Sequence, residues 1–201
     1  MPYDPKQSYS VAGIGLILIG TGFLLAGIAS LFPSASVSLL GIVLDILGIA
    51  LFFLEWSHLT SEERRLSAYG AILFIVAAVV SFFTGAFILT LNFTAHSVFH
   101  SSSSPLNASL QAVGGAFYGL FLYLAFFLFP YAFADREEKS ILTVGLVGGL
   151  IASVVLNPIV VGGNFYHITN LGPLEDILVD VVSLIFGVAY IVIGNRVRLR
   201  R

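Results

Sequence analysis

Six stretches of the chain are almost free of charged side chains, and the charges gather in the short segments between them. They run over Val11–Phe32, Val37–Trp56, Leu66–Leu91, Leu110–Phe133, Ile141–Val161 and Leu174–Ile193, and hold 22, 20, 26, 24, 21 and 20 residues. At 1.5 Å of rise per residue, roughly 20 apolar residues cross a bilayer core of about 30 Å. The runs are continuously apolar and do not alternate, which predicts helices and not the strands of a barrel. The third run is long enough to tilt or to extend past the bilayer. The pattern predicts an all-α, polytopic integral membrane protein, a bundle of six transmembrane helices forming a single membrane domain over 1–201.

The polar segments mark the helix boundaries. Thr60-Ser61-Glu62-Glu63 reads as a capping box, Thr60 with Glu63, opening the third helix. Asp135 and Glu138 are placed to do the same before the fifth. Gly172-Pro173 puts proline in the first turn of the sixth helix, with Glu175 and Asp176 near its positive end. Ser104-Pro105 resembles another helix start. Only Pro33–Ser36 separates the first two spans, so they are antiparallel neighbours. Asn92–Ser109 reads as a long, Ser-rich loop, and Asn157-Pro158 as the end of the fifth helix or a break in it. No internal repeat is evident.

Charge then gives an orientation. The chain has nine basic residues: Lys6, Arg64, Arg65, Arg136, Lys139, Arg196, Arg198, Arg200 and Arg201. All fall at the ends or in alternate loops, on one side of the six-span map. By the positive-inside rule both termini are cytoplasmic and the protein belongs in the cell membrane. The first span is too long for the apolar part of a secretory signal and reads as a retained helix. Sequons at Asn92 and Asn107 lie in a segment assigned to the outside and are weak glycosylation candidates.

Composition closes off several classes. The chain is 58% hydrophobic and 10% charged, where soluble domains carry about 25% charged residues. The bilayer is its solvent. A net charge of −2 offers no basic field for nucleic acid. Cysteine is absent, so disulfides, thiolate metal sites and iron–sulfur clusters are excluded. No histidine lies inside a span, which argues against a bis-His haem, and no arginine does, which argues against a voltage sensor. No nucleophile and base stand together, so an enzyme is disfavoured.

Three groups of residues remain. Asp45 lies about eight residues into the second span, roughly 12 Å deep, and shares a small, polar face with Ser38, Gly41 and Gly48. Asp180 begins a second stripe, with Asp176 before it and Ser183, Gly187 and Tyr190 after it. A carboxylate in a span costs about 2.5–3.5 kcal/mol on insertion scales and is a functional candidate by default. Asp45 and Asp180, with Asp176, would serve proton, cation or solute transport if they faced one outward cavity. A protonated, hydrogen-bonded Asp45 and a hydrated, shallow Asp180 are the structural alternatives. Glu55, beside the interfacial Trp56, is placed to pair with Arg64 or Arg65. His96 and His100, four apart, with His167, form a weak Zn or Cu candidate against the alternative of solvated histidines.

The last group is small residues at helical spacing. Gly145, Gly149 and Ser153 lie in the fifth span, with Gly148 and Ala152 beside them. Ala77, Ser81 and Gly85 lie in the third, Gly22, Ala26 and Ser30 in the first, Gly115 and Gly119 in the fourth. Helices in lipid approach closely through such residues. They serve packing within the bundle, or else a contact with a second copy or another membrane subunit. The reading that results is a non-catalytic bundle or subunit of a membrane complex. Its alternatives are a channel or carrier using Asp45 and Asp180, or an outer-face metal protein using the three histidines.

Overall fold

The computed structural model describes the backbone over residues 5–29, 35–98, 105–166 and 171–199, and side chains chiefly over 9–28, 39–85, 109–161 and 171–199. The described residues are helical almost throughout. In order they form α1 (Pro5–Ala29), α2 (Ala35–Leu54), a 3-10 turn (Trp56–His58), α3 (Ser61–Val98), α4 (Pro105–Tyr131), α5 (Arg136–Leu150), a π-helical segment (Ile151–Leu156), α6 (Asn157–Tyr166) and α7 (Gly172–Leu199). α5, the π segment and α6 run on as one rod, so six rods make an all-α membrane bundle. Five are long and apolar enough to cross a bilayer, and α2 supplies a shorter apolar helix of 20 residues.

Two boundary expectations are corrected. The segment read as the loop Asn92–Ser109 is largely helix, because α3 continues to Val98 and α4 begins at Pro105. With 38 residues, α3 is about 57 Å long and outruns the ~30 Å apolar core. Asn157-Pro158 does not end the fifth helix. Pro158 has no N–H and its ring crowds the carbonyl four residues back. The backbone widens into π geometry just before it, and Asn157 N donates to Ala152 O, five residues back. The wider turn carries the helix through the proline.

The rods form an incomplete ring. α2 packs on α1, α1 on α7, α7 on α5, α5 on α4, and α4 on α3. α2 and α3, consecutive in the chain, barely touch.

The α1–α7 seam is built on glycine at seven-residue spacing. A β-carbon added at Gly13 would stand 2.5 Å from Gly194 O, one at Gly20 2.7 Å from Gly187 O, and one at Gly27 2.9 Å from Asp180 O. In return, a β-carbon at Gly194 would meet Gly13 O at 2.7 Å and one at Gly187 would meet Gly20 O at 2.9 Å. These are backbone-to-backbone approaches that no side chain can yield to. A seven-residue repeat keeps one stripe of each helix on its neighbour at the shallow crossing angle of left-handed bundles. Gly15 and Gly22 form a second stripe on α1 toward Gly48 and Gly41 of α2.

The basic end, which carries Arg64, Arg136 and Arg196, is held by two capping boxes with outside partners. Thr60 N donates to Glu63 Oε2 (2.9 Å), Glu63 N donates to Thr60 Oγ1 (3.3 Å), and Tyr9 of α1 donates to the same carboxylate (3.3 Å). Asp135 N donates to Glu138 Oε2 (2.7 Å), completing the box at the start of α5. Glu138 is buried, and Arg196 of α7 grips it with Nε at 3.0 Å and Nη2 at 2.5 Å. Arg196 also donates to Phe133 O and pairs with Asp135 Oδ1 at 2.9 Å. By contrast, Glu55 does not pair with Arg64 or Arg65. Its Oε2 is buried without a hydrogen-bond partner among the described residues, and both arginines are exposed. Trp56 stacks on Phe53 at 5.0 Å.

Candidate functional site

Where α2 and α3 fail to meet, the bundle holds a cavity of about 270 Å³, reaching inward to α1, α4 and α7. Phe53, Phe74 and Ile75 of its wall are exposed on the outside of the bundle, so the cavity opens sideways, toward what would be lipid. Its wall is almost wholly apolar and strongly aromatic. Phe23, Phe53, Phe74, Phe126 and Phe129 contribute rings, and Tyr190 closes the inner side. Phe23 anchors this cluster, edge-on to Phe126 at 4.5 Å and to Tyr190 at 5.4 Å.

Proline chemistry fixes two of these walls. Pro130 lies inside the last turn of α4 and has no N–H to give the carbonyl of Phe126, four residues back. The hydroxyl of Tyr190 donates to that carbonyl instead, at 2.8 Å. The end of α4 tightens, with Phe133 N donating to Pro130 O at 2.9 Å. Phe129 O, the acceptor this leaves without its helical donor, takes the hydroxyl of Ser67 at 3.0 Å. Tyr190 and Ser67 are each nearly or fully buried, so a proline that would disorder a helix end becomes a point where α3, α4 and α7 are stitched together.

Asp45 is the one carboxylate in the cavity wall among the described residues. It lies near the middle of α2, about 15 Å along the axis from either end. Its Oδ1 rests against the α-carbon of Gly22, where a β-carbon would collide with it, and has no hydrogen-bond partner among the described residues. Gly41 and Gly48, on the face expected to point inward with Asp45, lie against α1. Among the described residues no lysine, arginine or histidine lines the cavity.

Asp180 is not part of this wall. Its backbone lies over Gly27, whereas Asp45 lies over Gly22, five residues earlier in α1 and about 7.5 Å nearer the basic end. Asp176 is exposed. Asp45 and Asp180 are not brought together in this cavity; Ser183 turns back on Val179 O and Gly187 serves the α1 seam.

The small residues divide. The ring of Tyr123 occupies the space beside Gly149, Ser153 lies against Gly119, and Gly115 faces Asn157 Oδ1. Gly145 lies against Phe186, with a β-carbon 3.2 Å from the ring. Ala77 is fully buried. Ser81, Gly85 and Ala26 are exposed, and nothing lies within 4 Å of where a β-carbon on Gly85 would stand. Ser30 lies outside the described residues. Asn157 Nδ2 donates to Glu175 at 3.0 Å, tying α6 to α7.

His100 and His167 lie outside the described residues, as do the side chains of His96, Asn92 and Asn107, whose backbones are helical. Among the described residues no three histidine or carboxylate side chains come together as a metal-ligand group. No family model matches the chain, nor does any curated protein or solved structure.

Proposed function

We propose that this chain is a non-catalytic membrane bundle that holds an apolar molecule in the cleft between α2 and α3. It acts as a binding protein or as the binding subunit of a membrane complex. The cavity opening between α2 and α3 carries this reading. Small-molecule sites are concave and mostly apolar, with a few polar groups that fix orientation. Here the polar groups are Asp45 and Tyr190, and the route of access is through the bilayer. Both termini are cytoplasmic on the positive-inside argument, which puts Glu175, Asp176 and Asp180 toward the outer face.

The test uses the purified protein in lipid nanodiscs and a labelled, uncharged aromatic hydrocarbon, 3-benzyl-3-ethylpentane. Saturable binding above protein-free discs is expected, and Ala71→Phe, which fills the cavity from α3, is expected to abolish it. Uptake by the variant equal to that of the native protein would refute the reading.

A carrier reading rests on Asp45 alone, since Asp180 does not share its cavity. The aromatic packing of Phe52 on Phe129 (4.6 Å) and Phe133 (5.6 Å) supports the binding reading over a polar path toward the basic end. Liposomes containing the protein are expected to show no proton or cation flux beyond that of protein-free liposomes.

A further inference from the structure

We infer that the occupant of the α2–α3 cavity is a lipophilic organic ammonium, held by Asp45 as counter-ion and by the surrounding phenyl rings. The inference rests on the proposed binding role and names its ligand class.

Three observations lead to it. First, Asp45 brings an acidic group into an otherwise apolar wall, with no lysine, arginine or histidine among the described residues that line it; its Oδ1 packs on Gly22 of α1 without a hydrogen-bond partner among them. A carboxylate so placed is costly unless a cation or donor compensates it. Second, the wall is aromatic where leucine or valine would fill the space as well. Phe23, Phe53, Phe74, Phe126 and Tyr190 surround the cavity, and ring faces attract cations, most effectively when the cation is desolvated. Aromatic cages paired with an acid are how proteins recognise substituted ammonium groups. A neutral lipid chain would satisfy the apolar wall and leave the carboxylate with neither cation nor donor.

Third, depth limits the shape of the ligand. Asp45 lies about 15 Å from either end of α2, near the centre of a ~30 Å apolar core. The head group of a phospholipid stays at the interface and does not reach it. The occupant is a compact ammonium whose substituents are themselves apolar, which partitions into the bilayer and enters sideways past Phe74 and Ile75.

The experiment compares two probes of matched shape in nanodiscs: benzyltriethylammonium and 3-benzyl-3-ethylpentane, in which carbon replaces the charged nitrogen. The native protein is expected to bind the ammonium at least tenfold more tightly than the hydrocarbon, after subtraction of protein-free discs. Asp45→Asn is expected to lose that preference while still binding the hydrocarbon, Asp45→Glu to keep most of it, and Ala71→Phe to lose both probes. Retention of hydrocarbon binding by Asp45→Asn shows that the variant is folded. If the native protein binds the hydrocarbon but shows no preference for the ammonium, or if Asp45→Asn keeps the preference, the ammonium assignment is overturned and the apolar cleft stands. If neither probe binds the native protein, the cleft reading falls and the assignment with it.

Discussion

The α1–α7 seam and the α2–α3 side of the bundle are opposite solutions to the same problem. Both are pairs of apolar helices in a solvent as apolar as they are, so neither is pressed together by water. α1 and α7 meet because Gly13, Gly20 and Gly27 face Gly194, Gly187 and the backbone of Asp180, and two bare backbones gain close contact along their length. α2 spends its glycines, Gly41 and Gly48, on α1, and Gly70 of α3 lies against Phe129 of α4. The space between α2 and α3 is walled by large side chains, Phe53 on α2 and Phe74 and Ile75 on α3. Closeness follows from missing side chains, and the cavity is walled by large ones.

The largest effect is expected at the seam. Gly20→Leu puts a side chain into the carbonyl of Gly187, and is expected to destabilise the fold by about 3 kcal/mol, the upper end for overpacking. Denaturant unfolding in detergent, followed by circular dichroism, measures it. A smaller cost than that of the same change at Gly85 would break the comparison.

Next comes the staple at the basic end. Arg196→Met leaves Glu138 buried without its cation. Removal of one partner of a buried pair costs about 3–5 kcal/mol, but the Arg196 side chain is 28% exposed, so about 2 kcal/mol is expected after discounting for solvent. Adding Glu138→Gln to Arg196→Met is expected to recover part of the loss. A double variant no more stable than the single one contradicts the pairing.

Tyr190→Phe tests the cavity wall from the inside. It removes the donor to Phe126 O and leaves a buried carbonyl unsatisfied next to Pro130, a loss of about 1–2 kcal/mol in the same unfolding assay. An unchanged midpoint would mean that the carbonyl needs no replacement donor. The smallest effect is expected at Gly85→Leu. It adds a side chain to open space on α3 and is expected to shift stability by less than about 0.5 kcal/mol in detergent. A large loss there would reveal a neighbour that the single chain does not supply.

These residues also show where the sequence could be read and where it could not. The helices follow from runs of apolar residues, and both capping boxes from a threonine or aspartate three residues before a glutamate, because those signals are local. The glycine seam was hidden by its period. Small residues sought four apart pick out Gly145, Gly149 and Ser153, whereas Gly13, Gly20 and Gly27 repeat every seven, the interval that suits two nearly parallel rods. The extension of α3 to Val98 was hidden by a serine-rich composition that resembles a loop. Asn157-Pro158 resembles a helix end, and only the π turn before it shows how the rod continues.

The cavity was less legible still. Asp45 stands out in any reading because charge in a span is rare. The rings that surround it come from α1, α2, α3 and α4, and nothing in a chain of 18 phenylalanines marks those few as neighbours. The stripe on α7 puts Asp180 forward, with Tyr190 only flanking it. Tyr190 is drawn to the cavity by a proline in another helix, and Asp180 stays on the seam.

The central claim is that the space between α2 and α3 is open to lipid and closed to water. With no native cysteine, a nitroxide can be attached at a single Ala71→Cys site in liposomes, and its relaxation measured with oxygen and with a water-soluble nickel chelate. The cleft predicts frequent collisions with oxygen, as at a lipid-facing position, and few with the chelate. Few collisions with either would mean that α2 and α3 pack shut; frequent collisions with the chelate would mean an aqueous pathway, and either result would contradict the account.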